Sequence, residues 1–145
     1  MTASDRAVEL ATVAAQAAAD KLATDLVLLD VSERLVITDA FVLCTGNNER
    51  QVGAICEAIE DALRKLGAKP ARREGEREGR WVLLDFVDVV VHVQHQEERV
   101  FYALERLWKD CPAIPWVDKD AGRREPASGP DGDVAHDEAR AAASE

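Results

Sequence analysis

The sequence predicts an α/β fold, a mixed β-sheet flanked by helices, and three observations carry that expectation. Two long segments repeat apolar residues at helical spacing. Short β-rich apolar runs separate and follow them. The last two such runs are joined so tightly that a hairpin is the simplest reading, so helices and strands alternate with a hairpin late in the chain.

Taken in order, Ser4 or Asp5 can cap a first helix reaching about Leu22, with Ala7, Leu10, Ala11, Ala14, Ala18 and Leu22 on one face. "DLVLLDV" (25–31) is long enough for a strand and too short for a helix. "SERLVITD" turns the chain, and "AFVLCTG" (40–46) supplies a second strand closed by Gly46. Asn47 or Asn48 starts the next helix, with a stripe of Val52, Ile55, Ile59, Leu63 and Leu66. Gly67 stands where a helix takes its left-handed cap, and Pro70 follows. "KPARREGEREGR" (69–80) reads as a solvated loop with an irregular edge. "WVLLDF" and "DVVVHV" form the hairpin, and helical period returns from about Glu97 to Trp108. Pro112 and Pro115 end regular structure.

A chain of 145 residues with 47% hydrophobic and 32% charged residues fits one soluble domain. Residues 1–118 are expected to form it. Residues 119–145, rich in Gly, Pro, Ala, Ser and acids with no apolar period, are expected to be a disordered acidic tail. The formal net charge is −10. From Lys119 onward four cations face seven anions, which leaves 14 cations and 21 anions, a net of −7, before it. Such a balance disfavours a free-standing nucleic-acid binder, whose affinity comes from cations on phosphates. It suits a basic protein partner. Three scattered cysteines with no CxxC spacing argue for reduced thiols. No basic-then-apolar leader and no membrane-length apolar run is visible, so the expected location is the cytoplasm.

Catalysis finds little support. A metal-dependent nucleotidyl-transfer site wants two carboxylates at i and i+2 on one strand face, opposite a Gly-Ser turn at a helix start. Asp85 and Asp88 are three apart, Asp88 is followed by Val89 and Val90, and "TGNN" has no serine after its glycine. Turn chemistry is the plain account of both aspartates. His92 and His95 would face opposite ways along a strand, so no metal is expected. Cys44 reads as a small core residue. The "TGNNERQ" turn could cradle an anion on its helix-start amides, or be an ordinary strand-to-helix turn. With no nucleophile, base and orienting group to name, the expectation is a protein that is not an enzyme and takes no cofactor.

Binding reads better. On a helical wheel Val100, Phe101, Ala103, Leu104, Leu107 and Trp108 gather on a core side, and Glu98, Arg99, Glu105, Arg106 and Lys109 on the other. Tyr102 falls amid those charges, either as an aromatic anchor with a polar rim or as a surface tyrosine stacked on Arg99 or Arg106. On the hairpin, Trp81, Leu83 and Asp85 share one strand face, and Val90 and His92 share one on the next. Sequence leaves open whether these lie on the same side, and Trp81 in the core is an equal alternative.

Two stretches, "TDAFVLCTGNNERQVGAICEAI" (38–59) and "WVLLDFVDVVVHVQHQEERVFYALERLW" (81–108), closely resemble the ribosomal silencing factor family, also called Iojap or RsfS. The similarity spans about residues 5–117. The second stretch is specific: its tryptophan, aspartates, histidine, arginine, tyrosine and Leu-Glu-x-Leu-Trp ending come in order. One departure is Val87, where the resemblance implies that many relatives have glycine in the turn before Asp88. The resemblance implies a nucleotidyltransferase-like fold without the catalytic carboxylate pair. It implies a translation repressor that binds the large ribosomal subunit through ribosomal protein fourteen, blocks joining of the small subunit, and forms a homodimer when free. Carried over by position, Trp81, Asp85, Asp88, His92, Arg99 and Tyr102 become the candidate partner surface, with little direct nucleic-acid contact. A nucleotidyltransferase-like nucleotide-binding enzyme is the first rival, and an adaptor in another assembly the second.

Overall fold

Ser4 starts the first helix, its Oγ accepting from the Ala7 amide at 3.0 Å, and α1 runs over Asp5–Asp20. The computed structural model describes residues 2–101, 106 and 108–124. Six of the seven buried residues of α1 are alanines, with Leu10 the other, so its backbone lies close to its neighbours. The helix ends two residues before the sequence suggests. Leu22 does not extend the apolar face: it adopts φ 67° and is exposed. Its amide donates to the Ala19 carbonyl and that of Ala23 to Ala18, the paired bonds of a left-handed helix stop.

Strand β1 (Thr24–Asp30) follows, then β2 (Ala40–Gly46) with the bounds expected. Helix α2 (Glu49–Arg64) is capped by Asn48, whose side chain accepts from the Gln51 amide. Gln51 Oε1 accepts from the Asn47 amide, while its Nε2 donates to the carbonyls of Lys21 and Leu22. One side chain thus closes the start of α2 and the end of α1. Gly67, at φ 82°, ends α2 with the same pair of bonds as Leu22 ends α1, and only glycine does so without steric cost.

The loop at 69–80 does contain an edge strand, β3 (Arg72–Glu74), with all three residues exposed and charged. A short charged edge resists pairing with other chains. Gly75 turns the chain so tightly that a Cβ there would stand 2.0 Å from the Trp81 carbonyl oxygen. The hairpin is β4 (Trp81–Asp85) and β5 (Val89–His95), and α3 (Gln96–Phe101) leaves β5 without a linker.

The five strands lie in the order β1-β2-β5-β4-β3. Only β2 and β5 pair in parallel, so the sheet is mixed and flanked by helices as expected. Helices α1 and α2 cover one face, and their core joins Leu28, Val42, Cys44, Val82, Leu84, Val91 and Val93. Residues 112–114 run along the outer edge of β1, the Ile114 amide donating to the Leu28 carbonyl and that of Asp30 to Pro112. The described structure continues past residue 118. Gln16 Nε2 donates to Asp118, its Oε1 accepts from the Lys119 amide, and Ala121–Arg124 form a helical turn. That turn departs from the disorder expected from Lys119 onward; positions 125–145 lie outside the described residues.

Candidate functional site

Among the described residues, no long helix lies on the second face of the sheet. Because Leu83 pairs with His92, Asp85 with Val90 and Trp81 with Gln94, the question left open by the sequence is settled. Trp81, Leu83 and Asp85 share a face with Val90, His92 and Gln94. The parallel pairing adds Phe41, Leu43 and Thr45 of β2 to that face. Over the β1–β2 side, Trp108, Cys111 and Leu35 close a small second core. Toward β4 the cover stops, and Trp81, Leu83 and Asp85 stay half-buried.

An aromatic row crosses this face. Trp81 Nε1 donates to His92 Nδ1 at 3.2 Å. His92 meets the Phe41 ring edge-on at 5.0 Å between centroids, and Phe41 meets Trp108 likewise at 5.0 Å. Since the indole N–H occupies Nδ1, the neutral imidazole carries its proton on Nε2, as assigned from this bond. Burial, helped by the nearby Arg99 charge, pushes His92 down to about 4. At neutral pH it is therefore an uncharged packing and hydrogen-bonding group, unsuited to general acid–base work.

Arg99 corrects the helical-wheel expectation. It was placed among exposed charges, yet it is only 6% exposed, while Val100, placed in the core, is 84% exposed. The cause is local. A helix that springs directly from β5 inherits its phase from the strand. Asp25, at φ 52° beside a register shift in β1, turns its carbonyl to accept from Arg99 Nη2 at 2.8 Å. Nη1 donates to Thr45 Oγ1 at 2.9 Å, so the guanidinium clamps α3 to β1 and β2.

The aspartates bound the hairpin turn. Asp85 Oδ1 accepts from the Val87 amide at 2.8 Å, and the Asp88 carbonyl accepts from the Asp39 and Ala40 amides. Tyr102 lies outside the described residues. His95 does not converge with His92; its Nδ1 accepts from the Glu97 amide at the start of α3. Among the described residues no cluster of three or more His, Cys, Asp or Glu could hold a metal. The "TGNNERQ" amides at Asn47 and Gln51 are already bonded to side chains, as in an ordinary capped strand-to-helix turn. Burial pushes the Cys44 thiol up to about 12, leaving it inert. A cavity of about 410 Å³ lies on the helix side, rimmed by Glu49, Glu57, Glu60 and Glu76.

Sequence reasoning missed Phe41, the centre of the aromatic row, and Gln94. The latter is completely buried, and neither its amide nitrogen nor its oxygen has a hydrogen-bond partner among the described residues; the same holds for His92 Nε2. The period-2 position of Gln94 relative to His92 was the available signal.

The sequence model of a family described as "Ribosomal silencing factor during starvation" matches residues 4–144. The chain belongs to the ribosomal silencing factor family. It is 45% identical over 100 residues to ribosomal silencing factor RsfS of Bacillus subtilis, covering 69% of this chain and 85% of the relative. It is 34% identical to the chloroplastic protein Iojap of Zea mays, over 69% of this chain and 43% of that one. A crystal structure of a Bacillus halodurans protein superposes with a TM-score of 0.65 at 40% identity, covering 74% of this chain and 97% of its own. A Chromobacterium violaceum crystal structure reaches 0.67 at 34% identity, covering 70% of this chain and 84% of its own. No helix among the described residues is long and apolar enough to cross a membrane.

Proposed function

We propose that this chain is a cytoplasmic translation repressor. It binds the large ribosomal subunit through ribosomal protein fourteen, at the surface that meets the small subunit, and sterically prevents joining. The observation that carries the reading is the open sheet face, half-exposed at Trp81, Leu83 and Asp85 in a member of this family. Aromatic side chains there supply short-range affinity, and the acidic charge steers the domain toward a basic protein and away from bare phosphates. His92 and Arg99 support the face from beneath, while Asp85 and Asp88 shape its turn; Tyr102 completes the expected surface. The free protein pairs with a second copy, and the fold is of the nucleotidyltransferase kind with the acid pair missing, Val90 standing two residues after Asp88.

Co-sedimentation with isolated large subunits, small subunits and joined ribosomes tests the proposal. Selective pelleting with large subunits, and inhibition of re-joining, is the expected result. Trp81→Ala should weaken that binding by about tenfold or more, with circular dichroism checking that the variant is folded. Absence of pelleting with any subunit would sink the reading and turn attention to nucleotide binding.

A further inference from the structure

Two turns meet at one end of the sheet. The Asp88 carbonyl, in the β4–β5 turn, accepts from Asp39 at 2.9 Å and from Ala40 at 3.2 Å, at the end of the β1–β2 loop. Both turns present aliphatic side chains to solvent: Val36 is 100% exposed, Ile37 73% and Val87 45%. Single exposed apolar residues are ordinary, but here three stand on two turns tied together at one end of the sheet.

Val87 adds an independent observation. It is a β-branched residue at φ 75°, a region that glycine enters freely and valine only under strain. The turn is nevertheless fixed: Val87 donates to Asp85 Oδ1 at 2.8 Å, Asp88 to the Phe86 carbonyl at 2.9 Å, and Phe86 to the Val89 carbonyl at 2.9 Å. A strained residue held this firmly, with its side chain outward, suits a contact whose value lies outside the fold.

We propose that Val36, Ile37 and Val87 form an apolar tip that seats on the apolar centre of a basic protein surface, and that this tip is a second anchor for the partner proposed above. The inference rests on that proposal for the partner's identity. The surroundings choose the occupant. Glu33, Asp39, Asp85 and Asp88 stand in the two turns or beside them, against two arginines already paired with acids: Arg34, 3.1 Å from Asp110, and Arg72, 3.9 Å from Asp85. A second copy docking tip to tip would bring like charges together, and an anionic lipid surface would be repelled. Leu35, in the same loop, packs against the buried cluster of Leu29, Phe41, Leu43 and Val90 that Leu83 and Trp108 also pack against, so the tip borders the second sheet face.

The test compares wild type, the double variant Val36→Ser/Ile37→Ser and Val87→Gly for equilibrium binding to purified large subunits, with melting temperature and sedimentation velocity alongside. The double variant should bind at least about tenfold more weakly, and Val87→Gly about fivefold more weakly, as for loss of interface anchors. Val87→Gly should also melt a few degrees higher because strain is relieved. This opposition, a more stable protein that binds less well, separates a contact role from a folding role. Affinities within about twofold of wild type overturn the inference while leaving the proposed function intact, as does a change confined to self-association. A wild-type protein that binds no large subunit removes both.

Discussion

Strand β5 shows two different surfaces within seven residues. Toward the helices it presents Val89, Val91 and Val93, packed with alanines of α1 and aliphatic side chains of α2. Toward the other side it presents Val90, His92 and Gln94, and three polar atoms of the last two lack hydrogen-bond partners among the described residues. The valine side is closed by close packing alone. The other side is held by directed bonds, the indole on His92 and the guanidinium on Thr45 and Asp25, and is left half-open at β4. One face is closed by apolar packing, and the other carries these unpartnered polar atoms and stays half-exposed at β4.

That comparison breaks most sharply in the core. Ile59→Ala, at a fully buried position on the helix side, should cost about 2–5 kcal/mol in urea unfolding. A loss under 1 kcal/mol would mean that the helix face is less tightly packed than described.

Next comes acid. His92 is neutral in the fold with its pKa lowered to about 4, whereas in the unfolded chain it titrates near 6.5. The unfolded state therefore takes up the proton first. Its contribution to stability is complete above about pH 6.5 and is lost as pH falls toward 4, on the order of 3 kcal/mol over the window. Stability curves of wild type and His92→Phe should converge across that window; parallel curves would refute the neutral, buried imidazole.

The smallest effect has the opposite sign. Gln94→Met replaces a buried amide with apolar atoms of similar length and should stabilise by about 1 kcal/mol. A loss instead would show that the amide bonds to something, such as an ordered water, and that this face is better satisfied than its neighbours suggest.

Much of the fold can be read locally. Strand β2 has the bounds that apolar character and Gly46 indicate, and Asn48 and Gly67 bracket α2 by capping chemistry that the sequence displays. Failures came where the answer was not local. Alternation tells which residues of β4 share a face, but whether these join His92 depends on register, fixed across the turn at Val87. The seven residues of β2 are all buried, as are those of β5, so neither has a polar side to orient it. Arg99 was misplaced because its partners, Thr45 and Asp25, are 54 and 74 residues away. The apolar wheel of α3 could not anticipate a carbonyl freed by an irregularity in β1. Phe41 was visible as a strand residue, yet only the parallel pairing of β2 with β5 brings it to His92.

The Gln51 side chain has a consequence for how the molecule comes apart. Its nitrogen holds the Lys21 and Leu22 carbonyls just past α1 and its oxygen holds the Asn47 amide just before α2, so fraying at one helix end loosens the other. Two helices separated by a β-hairpin in the chain are thereby linked, which favours their opening as one unit. The helix-covered side of the sheet is thus tied across its two helices as well as packed beneath them.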